Sequence, residues 1–205
     1  MSDSFSTRRS LIAAGVAMLT LPILSACSPG GSSGTLDKLN GSDISGTGLG
    51  KEMVMQDSSG ASRTLASYKD KVIVVFFGFT HCPDVCPTAL AELAQTLELL
   101  GKDADQVQVL MISVDPARDT PEILGSYTTA FHPSFVGLSG TDAQLQTTAK
   151  SFKAFYAKAA GPSPDQYAMD HSSSFYIFDK KGDVRILLGG NAPADEIAQD
   201  LRQLL

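Results

Sequence analysis

The chain has 205 residues, of which 43% are hydrophobic and 19% charged, and its formal net charge is −6. This composition suits one ordinary folded domain with room for a core. The acidic balance argues against a nucleic-acid phosphate surface and against adhesion to anionic lipid by charge alone, and three cysteines are too few for a disulfide-stapled scaffold of this length.

Residues 1–26 read as an export signal. Arg8 and Arg9 supply a positive start, and Leu11 to Leu24 is apolar but broken by Gly15, Thr20 and Pro22. It is too short to span a bilayer, which takes roughly 20 apolar residues. Leu24-Ser25-Ala26-Cys27 resembles the bacterial lipobox, in which the cysteine becomes the acylated first residue. Cys27 is therefore the expected lipidation site, which anchors a protein without making it span the membrane. Thr7-Arg8-Arg9-Ser10-Leu11-Ile12 also resembles a twin-arginine signal, so the export route stays open. The expected location is extracytoplasmic, as a membrane-anchored bacterial lipoprotein. From Cys27 to about Gly50 the chain is dominated by Gly and Ser and reads as a flexible tether. The folded domain is expected over residues 51–205.

Met53–Met55 and Ser62–Thr64 flank Asp57-Ser58-Ser59-Gly60, the pattern of a hairpin. Within Lys71 to Phe79, Val72 to Phe77 is a continuous apolar, β-branched run and predicts a strand covered on both faces. It leads into Cys82 and Cys86. Leu90, Leu93, Leu97 and Leu100 follow at helical spacing. Val107 to Val114 predicts a second buried strand, ending at Asp115. Thr120-Pro121-Glu122 starts a helix with Ile123, Leu124, Tyr127 and Phe131 inward. Phe135 to Leu138 is a short strand, and Thr141 to Gln144 a capping box opening the next helix. Gly161 to Tyr167 reads as a polar loop. Phe175–Asp179 and Val184–Leu188 form a hairpin, and Pro193 to Leu205 a last helix. The order predicts an α/β protein with a central mixed sheet flanked by helices and an N-terminal hairpin. That is the plan of the thioredoxin fold.

Cys82 and Cys86 fall at a helix start, where free N–H groups favour the thiolate. A thiolate both binds soft metals and attacks disulfides. The C-x-x-x-C spacing is one residue wider than the usual dithiol pair and leaves room for an ion, while a redox disulfide between the two remains open. With no further cysteine in the domain, an all-cysteine zinc site or iron–sulfur cluster within one chain is excluded. A third ligand must be His, Met or carboxylate. His81 adjoins Cys82 and points away from it, and His132 lies at the other end of the expected sheet. His171 precedes a strand expected to run antiparallel to Val72–Phe79, so it meets the cysteine end. Two thiolates and an imidazole suit Cu(I), and Cu(II) with an added oxygen ligand. Asp115 ends the neighbouring strand. It reads either as a turn residue near a surface Arg118–Asp119 pair or as a residue supporting the site or a docking partner. Asp170, beside His171, is read in the same supporting or docking role.

The stretches GFTHCPDVCPT, SVDPARDTP and YAMDHSSSFYIFD together resemble the signature segments of the Sco (SenC) copper-binding family. Its members are membrane-anchored, thioredoxin-fold factors in the assembly of cytochrome c oxidase. The resemblance runs from about Met53 to Leu205. It implies copper held by Cys82, Cys86 and His171, and delivery to, or thiol reduction of, the dinuclear copper site of oxidase subunit II. Many members use a transmembrane helix where this chain has a lipobox and tether. The alternative function is an extracytoplasmic thiol–disulfide oxidoreductase.

Overall fold

The computed structural model describes residues 36–163 and 166–205. The expected export signal, Cys27 and the first part of the expected tether lie outside them. Among the described residues no helix is long and apolar enough to cross a membrane.

A six-stranded mixed sheet forms the centre, in the order β1 (Ser42–Asp43), β10 (Val184–Leu188), β9 (Phe175–Phe178), β4 (Val72–Gly78), β5 (Val107–Ser113) and β6 (Val136–Leu138). Its middle strand β4 (Val72–Gly78) is buried along its whole length, as its unbroken apolar run requires. It pairs in parallel with β5 (Val107–Ser113), which pairs in parallel with β6 (Val136–Leu138). On its other side β4 pairs antiparallel with β9 (Phe175–Phe178), and β9 with β10 (Val184–Leu188). Successive strand residues face opposite sides. Phe77 packs edge-on against Phe152 of helix α3 (Asp142–Phe152), with ring centroids 5.2 Å apart. Phe76 and Gly78 face the other way, toward the first turn of helix α1 (Val85–Leu100). Helix α4 (Ala194–Arg202) lies beside α1, and the Thr96 hydroxyl donates to the Ala194 carbonyl. Helix α2 (Pro121–Thr129) is capped by Thr120, whose hydroxyl accepts from the Ile123 N–H. It buries Leu124 and Thr128 and leaves Ile123 49% exposed, so Ile123 is not part of the inward face that its spacing suggested.

The N-terminal hairpin is present as β2 (Met55–Gln56) and β3 (Ser62–Arg63). Two segments depart from the sequence expectation. Residues 156–163 and 166–171, read in part as a loop, form an antiparallel ribbon of β7 (Tyr156–Ser163) and β8 (Gln166–His171) apart from the main sheet. Leu36 to Gly50, read as tether, lies on the domain. There β1 (Ser42–Asp43) pairs with β10, and the buried Asp200 carboxylate accepts from the Asn40 and Gly41 N–H groups. Composition marked this stretch as unable to form its own core. It needs none, because it uses the edge of an existing sheet.

Candidate metal centre

The cysteine turn leaves β4 at Gly78 and enters α1 at Val85, with Asp84 as the cap residue. Pro83 therefore precedes the helix and Pro87 falls in its first turn. The N–H that Pro87 lacks there has no partner within the helix in any case. The Cys86 N–H, one of these free donors, points to the Cys82 sulfur at 3.4 Å. Cys82 is half-buried and Cys86 fully buried.

His171 ends β8, opposite Tyr156. Its Nε2 lies 3.6 Å from the Cys86 sulfur. Its Nδ1 lies 3.0 Å from the Ser172 carbonyl. A carbonyl only accepts, so Nδ1 carries the proton and, in the neutral ring, Nε2 presents its lone pair to the sulfurs. That tautomer is the one a metal ligand coordinating through Nε2 needs. The ring packs edge-on against Phe79 and Phe76, at centroid distances of 5.8 and 6.2 Å. Donor atoms of Cys82, Cys86 and His171 all lie within 4.8 Å of one another. The set opens onto a groove of about 380 Å³ lined by Phe79, Val85, Phe155 and Met169 among others. Phe155 is 61% exposed at its edge.

The helix start does not make Cys86 a thiolate on its own. Burial, reinforced by the neighbouring Cys82 and by Asp119, pushes its pKa well up, and the opposing backbone hydrogen bond at Phe79 does not offset it. The metal-free thiol is therefore harder to ionise than an exposed one. In the metal-free Cys82→Ser protein, Cys86 should react with iodoacetamide about tenfold more slowly than Cys82 does in Cys86→Ser. Equal rates, followed by mass spectrometry, would contradict this account.

His81 bonds locally to the Thr80 hydroxyl at 3.0 Å, and His132 to Ser134 at 2.8 Å. Neither joins the cluster, as their sequence positions implied. Asp170 is exposed and lines the groove; the contact to the His171 ring nitrogen comes from Ser172 instead.

Asp115 does not sit near a surface Arg118–Asp119 pair. It is 3% exposed, forms an ion pair with Arg118, and accepts from the Tyr167 hydroxyl at 2.8 Å. Arg118 also donates to the Tyr167 carbonyl at 3.1 Å, and its guanidinium lies 3.7 Å from the Tyr167 ring centroid and 5.8 Å from that of Phe79. Asp119 points inward, wholly buried. It accepts from the Thr80 N–H, the Thr80 hydroxyl and the Ser113 hydroxyl. It thus ties the start of the cysteine turn to the end of β5.

Sequence reasoning also passed over two glycines. A Cβ on Gly78 would lie 3.0 Å from the Cys86 sulfur and 2.9 Å from Met111, so this glycine makes the sulfur's seat. A Cβ on Gly190 would lie 1.6 Å from the Ser173 carbonyl oxygen, two residues beyond His171. A glycine ending an otherwise β-branched strand was a usable signal of close approach. Nothing around Gly190 announced its neighbour.

Fold and site together define a thioredoxin-like protein with a ready cluster of two thiols and one imidazole. Residues 43–205 match the SCO1/SenC family model, and the chain belongs to that family. It is 38% identical over 157 residues to mitochondrial SCO2 of Saccharomyces cerevisiae, covering 76% of this chain and 52% of that protein. The match thus spans about half the length of that relative. The apo Sco1 protein of Thermus thermophilus superposes with a TM-score of 0.73 at 36% identity, over 84% of this chain and 100% of that one. The copper-bound ScoI of Bradyrhizobium japonicum does so with a TM-score of 0.68 at 36% identity, over 80% and 99%.

Proposed function

We propose that this protein is a copper metallochaperone that takes its cargo on Cys82, Cys86 and His171. The observation that carries this reading is the convergence of the three donor atoms, with the Nε2 lone pair turned to the sulfurs. Metal–ligand bonds of about 2.0–2.3 Å place neighbouring donors roughly 3.5–4 Å apart, and the Cys86–His171 separation is 3.6 Å. Two soft sulfurs and one imidazole favour Cu(I), with Cu(II) accepted when an oxygen joins them. The copper bound to the Bradyrhizobium relative supports the choice of ion. The site opens to the groove, so an incoming thiolate can exchange for one ligand at a time and the ion never enters solution. The recipient is an exported copper protein, which we take to be cytochrome c oxidase subunit II with its dinuclear copper site. A lipid on Cys27 holds the protein at the outer face of a membrane beside that client, and Asp170 at the groove edge takes part in docking.

A second reading uses the same sulfurs as a dithiol that reduces its client. The proximity of the half-buried Cys82 to Cys86 favours it as an accessory activity. It does not need His171.

The test is anaerobic titration of the reduced protein with Cu(I), with X-ray absorption to count sulfur and nitrogen ligands. One equivalent is expected, with two sulfurs and one nitrogen. Cys82→Ser, Cys86→Ser and His171→Ala should each lose tight binding. Full binding by His171→Ala would remove the three-ligand site. Unchanged reduction of a disulfide peptide by His171→Ala would establish the dithiol activity as separate.

A further inference from the structure

We propose that Asp115, Arg118 and Tyr167 are positioning residues that set the reach of His171 to the two sulfurs. This rests on the reading of His171 as a metal ligand. The two cysteines and the histidine sit on separate pieces of the fold. The cysteines belong to the β4–α1 turn, which is rooted in the central sheet. His171 belongs to the β7–β8 ribbon, which is not paired to that sheet. A lone two-stranded ribbon is marginal in water. The sulfur–nitrogen distance therefore depends on whatever fastens the ribbon to the domain.

Tyr156 and Met169 of the ribbon pack against the core, and Tyr167 adds polar fastening. Its hydroxyl bonds to Asp115 and its carbonyl to Arg118. The Arg118 guanidinium stacks on its ring, and Lys158 of β7 lies 3.6 Å from the ring centroid. Asp115 lies two residues beyond β5, whose last residue Ser113 is paired with Gly78 at the end of β4. The brace thus starts where the cysteine turn starts. Tyr167, Met169 and His171 share one face of β8, because alternate residues of a strand point the same way. Holding Tyr167 holds the face that carries the imidazole. Arg118 also reaches the ring of Phe79, and Phe79 packs edge-on to His171. A planar guanidinium can stack and fork its hydrogen bonds at once, which an ammonium cannot.

A residue that only stabilises the fold would act on the whole domain, whereas this brace acts through His171. Two measurements separate the cases. In the metal-free protein, Arg118→Met should speed amide exchange of residues 167–171 while leaving β4 and β5 protected. Unchanged exchange in the ribbon, or a uniform increase across the domain, would overturn the proposal. In Cu(I) competition titrations, Arg118→Met should weaken binding about 10–100-fold, the usual effect of losing the partner that orients a ligand. Tyr167→Phe, which keeps the stack and loses one hydrogen bond, should weaken it less. Arg118→Met added to His171→Ala should cost nothing further, because the ligand it positions is already gone. A full additional loss in the double variant would overturn the proposal. Should His171→Ala alone bind copper like the parent, the ligand reading fails, and the metal-free exchange still decides the brace.

Discussion

Asp119→Ala should destabilise the domain by about 3 kcal/mol and loosen the cysteine turn. Asp119 is completely buried, and its two oxygens accept from the Thr80 N–H at 3.1 Å, the Thr80 hydroxyl at 2.5 Å and the Ser113 hydroxyl at 2.6 Å. Alanine leaves the buried Ser113 hydroxyl and the Thr80 N–H without this acceptor, while the half-buried Thr80 hydroxyl keeps its contact to His81, and each buried unmade hydrogen bond costs about 1–3 kcal/mol. Relaxation of Thr80 toward solvent recovers part of the loss. That movement displaces Cys82, only two residues on. Asp119→Asn keeps the shape and one acceptor, so it should lose about half as much. Urea unfolding of the metal-free proteins measures both. Equal stability of Asp119→Ala and the parent would show that the network contributes nothing.

Gly190→Ala should be comparably damaging, at about 3 kcal/mol, for a steric reason. The added carbon would sit 1.6 Å from a backbone oxygen, that of Ser173, and 2.8 Å from its carbonyl carbon. No rotamer change relieves a clash between backbone and Cβ, so one of the two segments must shift, and overpacking of this kind costs about 1–3 kcal/mol or more. If Ser172–Ser173 yields, the carbonyl that fixes the His171 tautomer moves with it. Copper should then be held less tightly per folded molecule. Thermal denaturation and Cu(I) titration together check the two effects. An unchanged melting temperature would refute the packing argument.

Much of the site was legible because its parts are local. Val72 to Gly78 could only be a covered strand. The two prolines around Val85 and Cys86 suit a helix start, and the Thr120 and Thr141 caps form where their spacing placed them. His171 could be matched to the cysteines from strand order alone, although 85 residues separate it from Cys86. The ribbon was not legible. Its strands carry Ala, Lys, Gly and Pro with few β-branched residues, so they have little intrinsic preference to announce. Their pairing is supported by contacts to Arg118 and Asp115, made by side chains about 50 residues away.

The sequence by itself determined the strand–turn–helix that carries Cys82 and Cys86, and it singled out His171 as the group expected to join them. Those follow from hydrophobic periodicity, from helix-start chemistry and from the small number of soft ligands available. Only the tertiary structure decided the partner of Asp115, the inward turn of Asp119, the burial that raises the pKa of the Cys86 thiol and the place of Leu36–Gly50 on the sheet edge. Each of these depends on which distant groups exclude water from a polar atom or supply its hydrogen bond. The proposed copper site sits between the two kinds of knowledge: its three candidate ligands were written in the chain, whereas the ribbon that carries His171 was not.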